Sequence, residues 1–295
     1  MKLSALMAAA AVVLLSATGV QAADTLAKIA ESGKITLAYR ESSVPFSYLD
    51  GPNKPIGFSV ELSNAVVEAV KKKLNKPSLQ VQLMPVTSQN RIPLITNGTV
   101  DLECGSTTNN SARGKDVAFA VNHFYTGTRL LVKKSSKIKN YADLAKKTVA
   151  STTGTTNALV MRKYNTEKNL DMDIVLGKDH ADAFLLVESD RALAFAMDDI
   201  LLYGLIANAK NPADYEVVGD ALQVEPYACM LPKDDPAFKK LVDDTFIGMM
   251  KSGEFEKLYT KWFMSPIPPK NAPLNLPMSQ QLKDNIKAPS DKPAI

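Results

Sequence analysis

Residues 33–70 read GKITLAYRESSVPFSYLDGPNKPIGFSVELSNAVVEAV and contain a complete strand–loop–helix unit. Ile35-Thr36-Leu37-Ala38-Tyr39 is a short, mostly apolar run of strand character. Gly33 before it reads as the left-handed cap of a short helix over 26–32. Residues 40–54 carry Ser, Pro, Gly and Asp, the composition of a loop. Phe58, Leu62, Ala65, Val66, Ala69 and Val70 then recur at helical spacing. Lys71-Lys72-Lys73 closes the helix, where a basic run suits the C-terminal dipole or is simply a solvated end.

The unit repeats outward. The pattern predicts a strand over 81–86, a short helix over 89–96 ended by Asn97-Gly98, and a strand over 100–104. It then restarts. Short helix 141–146, strand 148–150, helix 157–164, strand 174–176, helix 181–188, strand 192–197, helix 200–209 and strand 215–218 follow in turn. From Val224 the chain reads as a return segment, with helices over 238–251 and 254–263 and a Pro-rich tail expected to pack extended and end loosely. Strands alternating with helices indicate an α/β architecture.

Composition narrows the function. The chain has 295 residues, 45% apolar and 22% charged, which are globular proportions. A net charge of +4 is too small to argue for nucleic acid as a partner. Cys104, His123, His180 and Cys229 show no paired ligand spacing, so no metal site is expected. The common phosphate, dinucleotide and serine-hydrolase signatures are missing, and no bound cofactor is expected. Residues 1–22, MKLSALMAAAAVVLLSATGVQA, read as a secretory signal peptide: Lys2, an apolar run over 5–15, and a small-residue exit at Val20-Gln21-Ala22. The run is too short to cross a bilayer; the alternative is a buried first helix. No Cys follows the exit to carry a lipid, so a soluble product outside the cytoplasm is expected.

Export favours a disulfide between Cys104 and Cys229. Closing a loop of ~125 residues, it is worth up to ~5 kcal/mol on the chain-entropy model. That pairing sets an early segment against a late one. The expected organisation is a discontinuous first lobe, 23–127 with 224–295, and a second lobe, 128–223, inserted between two strand crossings. A cleft between such lobes suits a small ligand.

Polar clusters stand at the expected strand ends and helix starts: Arg40-Glu41-Ser42-Ser43, Thr87-Ser88-Gln89-Asn90-Arg91, the run 105–110 with Arg113, the run 151–156, Lys178-Asp179-His180 and Met197-Asp198-Asp199. Each also reads as ordinary helix capping. Arg40 alternatively sits on a surface loop, Arg91 in a surface ion pair, and His180 at a helix cap. Arg91 and Arg113 fall on first helical turns, where the dipole disfavours a cation, which points to an anion. His123 reads as surface, Trp262 and Phe263 as packing, and Asp199 as a helix cap.

At these residues the chain resembles a known family. Residues 33–70, and residues 98–133 with Ser106, Thr108, Arg113 and Phe119, are similar to the first lobe of the polar amino-acid-binding proteins of bacterial ABC uptake systems. Residues 148–156 resemble that family's second-lobe Gly-Thr turn, and 194–199 its strand-end Asp. RESSVPFSY, TSQNRIPL, ECGSTTNN, KDH and the Met-Asp-Asp end are similar to its glutamate/aspartate-binding branch. The resemblance covers nearly all of the chain beyond residue 22.

It implies a two-lobed periplasmic-binding-protein fold of type II, with mixed, mostly parallel sheets and two hinge strands. It implies a monomer in the periplasm that captures L-glutamate or L-aspartate by hinge closure and delivers it to an ABC permease. Arg113 with Thr108, and the N–H groups at Thr155 and Thr156, would take the α-carboxylate. Asp198 and Ser106 would take the ammonium; Arg40, Ser88, Arg91 and His180 would line the side-chain pocket. Three Arg against one Asp leave surplus positive charge, which favours a ligand with a second carboxylate. Competing readings are an enzyme on the same fold, such as a dehydratase of a small carboxylate using His180 with Asp179 or Asp182, a sensor domain, and a binder of another amino acid such as glutamine.

Overall fold

The computed structural model describes residues 24–294, so the expected signal peptide lies outside the described residues. Asp24 caps α1 (Thr25–Ser32) by accepting from the Ala27 amide at 2.8 Å, and Gly33 ends it at φ 68°. β1 (Lys34–Tyr39) follows. The expected loop over 40–54 instead contains β2 (Ser42–Ser43) and β3 (Ser47–Leu49), which pair with each other, and β3 pairs in turn with β4 (Pro55–Ile56) in a small antiparallel sheet. The reason is burial: Phe46 and Tyr48 face the core, so polar flanks conceal a packed hairpin. Gly57 then sits at φ 137° with its Cα against the Phe46 carbonyl, a position only glycine fills. It opens α2 (Phe58–Leu74), which is followed by β5 (Gln80–Pro85) and α3 (Arg91–Thr96). The expected strand over 100–104 is shorter, β6 (Leu102–Glu103); β7 is Val117–Phe119 and β8 is Phe124–Lys133.

The second set comprises β9 (Thr148–Thr152), α4 (Thr156–Lys168), β10 (Asp173–Gly177), α5 (His180–Glu188), β11 (Ala194–Asp198), α6 (Asp199–Asn208) and β12 (Tyr215–Val218). The return consists of β13 (Val224–Tyr227), β14 (Met230–Pro232), α7 (Pro236–Ser252), α8 (Glu254–Tyr259) and α9 (Gln280–Lys287).

Two α/β sheets result. One runs β5-β1-β6-β14-β7, with β1 parallel to β5 and β6, and β14 antiparallel to its neighbours. The other runs β10-β9-β11-β8-β12, parallel over its first three strands. β8 joins them: its first residues pair with β13, and its later ones with β11 and β12. Phe46, Phe124, Tyr227 and Phe263 pack beside this crossing, with Phe46 centroids 4.9, 5.2 and 5.6 Å from the other three rings. The second sheet has its own core of Leu130, Val132, Val149, Met161, Ala194 and Ala196. Trp262 and Phe263 are packing residues, as their neighbours suggest.

Cys104, just after β6, and Cys229, just before β14, are buried and joined in a disulfide. Neighbouring strands thus bring together residues 125 apart in sequence. The tail does not end loosely. Leu282 of α9 is buried, Asn109 and Asn122 donate to the carbonyls of Asp291 and Lys292 at 2.8 and 2.9 Å, and the Ala294 amide donates to Asn109. Only Leu282 and Ile286 in α9 are apolar, so its packing face is too sparse to read from periodicity.

Candidate functional site

Both sheets end their parallel strands at one cleft, which is where α/β folds hold ligands. Arg40 follows β1, Ser88 and Arg91 follow β5, and Ser106 and Thr108 follow β6. From the other sheet, Thr155 and Thr156 follow β9, Asp179 and His180 follow β10, and Asp198 ends β11. All are buried except Arg113, Thr156 and Asp179, which are half-buried. The two rims touch. Thr108 Oγ1 lies 3.3 Å from Thr156 Oγ1, and Arg113 Nη2 donates to the Gly154 carbonyl at 3.3 Å. Gly154, at φ 77°, faces the Gln89 backbone so closely that a Cβ would lie 2.6 Å from Gln89 Cα.

One end of the cleft is rich in donors. Arg40 is 0% exposed; its Nη2 donates to Asp179 and lies 3.3 Å from His180 Nε2. Its Nε and Nη1 have no hydrogen-bond partner among the described residues. Arg91 is 2% exposed and donates through Nη1 to Thr107 and to the Ser106 carbonyl, while its Nε is unpartnered in the same sense, as is Ser88 Oγ. Burial pulls Arg91 down to about 9, helped by Arg113 and Arg40 and opposed by Glu103, so it stays charged at neutral pH. Beside these donors, Glu103 Oε1 is also buried without a hydrogen-bond partner among the described residues, 4.0 Å from Arg91 Nη1.

Both ring nitrogens of His180 have partners within the protein. A guanidinium only donates, so His180 Nε2 accepts from Arg40 and Nδ1–H donates to Thr152 Oγ1 at 3.0 Å. Burial, with Arg40 beside it, holds the imidazole down at about 3, and the ring is neutral. Nε2 is spent on Arg40 and Nδ1–H on Thr152, and a neutral ring so depressed is a weak base. For Asp179, its neighbour, burial acts upward, but the Arg40 guanidinium and a bond from Ser42 outweigh it and bring its carboxyl down to about 2.

The other end is acidic. Asp198 receives the Tyr227 hydroxyl on one oxygen and Asn157 Nδ2 on the other at 2.7 Å. Burial, then Glu225, push its carboxyl well above the usual carboxylate range. A cation placed there would restore its charge. Asp198, not Asp199, occupies the cap position of α6; Asp199 lies in the first turn and accepts from Thr126 at 2.6 Å. Ser106 donates to Ser43 at 3.1 Å, which leaves its oxygen free to accept. Thr155 caps α4, accepting from the Ala158 amide at 3.2 Å. Arg113 reaches the Thr108 carbonyl at 2.9 Å.

Two buried carboxylates escape a reading of the sequence. Glu225 on β13 accepts from Thr108, from Thr156 at 2.6 Å and from Thr128 at 3.4 Å. Glu103 on β6 accepts from Thr107 at 2.7 Å and lies 4.0 Å from Arg91. The only signal for either was an acidic residue inside an otherwise apolar strand. With Asp179 they overturn the expected charge surplus: Arg40, Arg91 and Arg113 face Glu103, Asp179, Asp198 and Glu225. His123 is likewise not a surface residue. It is 0% exposed against Phe58, and burial brings it down to about 4; its polar neighbour Asn122 is also buried, which misleads a local reading.

The sequence of residues 35–265 matches the family described as bacterial extracellular solute-binding proteins, family 3. The chain is 55% identical over 271 residues to the glutamate/aspartate import solute-binding protein of Escherichia coli (strain K12), covering 92% of this chain and 90% of that one. It is 53% identical over 271 residues to the L-glutamate/L-aspartate-binding protein of Pseudomonas aeruginosa, with the same coverage of both chains. A crystal structure of a mutant of ArgBP from T. maritima superposes with a TM-score of 0.72 at 24% identity, covering 81% of this chain and 99% of that one, a likeness of fold. With two α/β lobes meeting at a polar cleft and a family match across most of its length, the chain belongs to the bacterial extracellular solute-binding proteins, family 3.

Proposed function

We propose that this chain captures L-glutamate and L-aspartate in the periplasm and delivers them, as a monomer, to an ABC permease in the membrane. Capture is closure of two lobes, 23–127 with 224–295 and 128–223, about β8 and β13. The relatives just described bear matching names. Arg113, Thr108, Thr155 and Thr156 take the α-carboxylate, and Asp198 the ammonium. Ser106 supports that end through Ser43. Arg40, Arg91 and Ser88 take the side-chain carboxylate, and His180 orients Arg40.

One observation carries the reading: Arg40 Nε and Nη1, Arg91 Nε and Ser88 Oγ are buried without partners among the described residues. Hydrogen-bond geometry suffices here without surplus charge. A carboxylate offers acceptors to every one of these donors. A side-chain amide turns an NH₂ group toward N–H groups and leaves one of them unsatisfied. That costs about 2–3 kcal/mol for a charged donor, roughly a hundredfold in affinity.

Calorimetry with glutamate, aspartate, glutamine and asparagine tests this. The two acids bind at micromolar concentration or tighter, about −8 kcal/mol, and the amides at least about a hundredfold more weakly. Equal affinity for glutamate and glutamine overturns the assignment.

A further inference from the structure

Asp179 makes contacts that the binding of a ligand does not require. It stands at the cap position of α5 in the second lobe. One of its carboxylate oxygens takes Arg40 Nη2, and the other takes Ser42 Oγ at 2.9 Å, both from the first lobe. The Ser42 hydroxyl also accepts from the Ala181 amide at 3.3 Å, so it is tied to the start of α5 from two directions. Ser42 lies on β2, whose pairing with Tyr48 of β3 fixes its position. Asp179 is in turn held by its own helix: its amide donates to Asp182 at 3.2 Å. The backbones that carry the hydroxyl and the carboxylate are therefore each fixed within their own lobe, while the side-chain bonds themselves run across the cleft.

We infer that Ser42 and Asp179 form a clasp across the cleft that stabilises the closed form by the same factor whatever ligand lies inside. Ser42 is a positioning residue in this scheme, since its hydroxyl is spent on Asp179 and Ala181. The inference rests on the proposed closure about β8 and β13, but not on which amino acid is bound. A hydrogen bond to a charged acceptor at a partly exposed site corresponds to about tenfold in the closing equilibrium. Apparent affinity scales with the closed population, so every ligand loses equally.

The test compares Ser42→Ala and Ser42→Thr with the unaltered chain, using glutamate and aspartate in stopped-flow binding and small-angle scattering without ligand. Ser42→Ala is expected to raise the dissociation rate of both ligands about tenfold, leave their affinity ratio unchanged and enlarge the ligand-free radius of gyration. Ser42→Thr, which keeps the hydroxyl on a strand that tolerates branching, is expected to restore the dissociation rates and the radius of gyration. Unequal losses for the two ligands would show that Ser42 touches ligand, and unchanged dissociation would show no clasp; either overturns the inference. If the unaltered chain binds neither acid, the ligand assignment falls, and the scattering result alone decides the clasp.

Discussion

Thr108 and Thr156 come from opposite sheets, lie 3.3 Å apart, and both donate to Glu225 Oε2. Glu225 sits on β13, one of the two strands that join the sheets, so the hinge itself supplies an acceptor that both rims share. Closure is therefore registered at three carboxylates: Glu225 by the crossing strands, Asp179 across the opposite rim, and Asp198 between them.

Gly154 is the closest approach of one rim to the other. Its φ of 77° already disfavours a side chain, and a Cβ would press on the Gln89 backbone, which cannot move aside as a side chain would. Gly154→Ala is expected to weaken binding of every ligand by at least about a hundredfold while lowering the unfolding free energy by only about 1 kcal/mol. Small-angle scattering at saturating glutamate should show the open form. A variant that closes normally contradicts the described contact.

Asp198 couples stability against function. Its folded carboxyl is raised, so the ionised form is disfavoured in the free cleft. The stability it contributes is present below its unfolded value and is lost as pH rises through the raised one. Asp198→Asn is expected to raise the melting temperature of the ligand-free chain at neutral pH and to abolish glutamate binding. Thermal unfolding and calorimetry on the same sample check both signs. Unchanged affinity would remove the ammonium from this position.

Asp179 behaves in the opposite sense. Its folded carboxyl stands at about 2 against an ordinary value of 3.8. Its contribution is present above the unfolded value and is lost as pH falls through about 2. Denaturant unfolding should show the chain more stable than Asp179→Asn by about 2 kcal/mol at neutral pH, the difference shrinking between about pH 4 and pH 2. Asn removes one acceptor together with the charge, so the pH dependence of the difference, not its size, reports the charge. A gap that stays constant with pH would assign the loss to packing instead.

The disulfide ties β6 to β14 at the root of the first sheet. Cys104→Ser with Cys229→Ser is expected to lower unfolding free energy by about 3–5 kcal/mol. Because the cleft residues are held by other contacts, glutamate affinity measured well below the melting temperature should change less than threefold. Lost affinity in a folded variant would show that the bond also sets the position of Ser106 and Thr108.

Local physics was legible without coordinates. Apolar spacing marked α2, Gly33 marked the end of α1, and the Thr155 region marked the start of α4, because caps and periodicity are properties of a few consecutive residues. The exposed-looking stretches failed for the same reason. The hairpin over 42–49 interleaves its apolar residues with Ser and Pro, and helix α9 has only two apolar residues, so neither announces the distant partners it packs on.

By itself, then, the sequence determined the alternation of strands and helices, the cysteine pair, and a set of arginines, hydroxyls and acids at strand ends. Only the tertiary structure decided which charges meet. Arg40 finds Asp179 across 139 positions, Thr108 finds Glu225 across 117, and His123 is sealed beneath Phe58. A side chain's charge and hydrogen-bonding capacity belong to its residue type, but its desolvation and its partners belong to the packed neighbourhood, and those set what the cleft can hold.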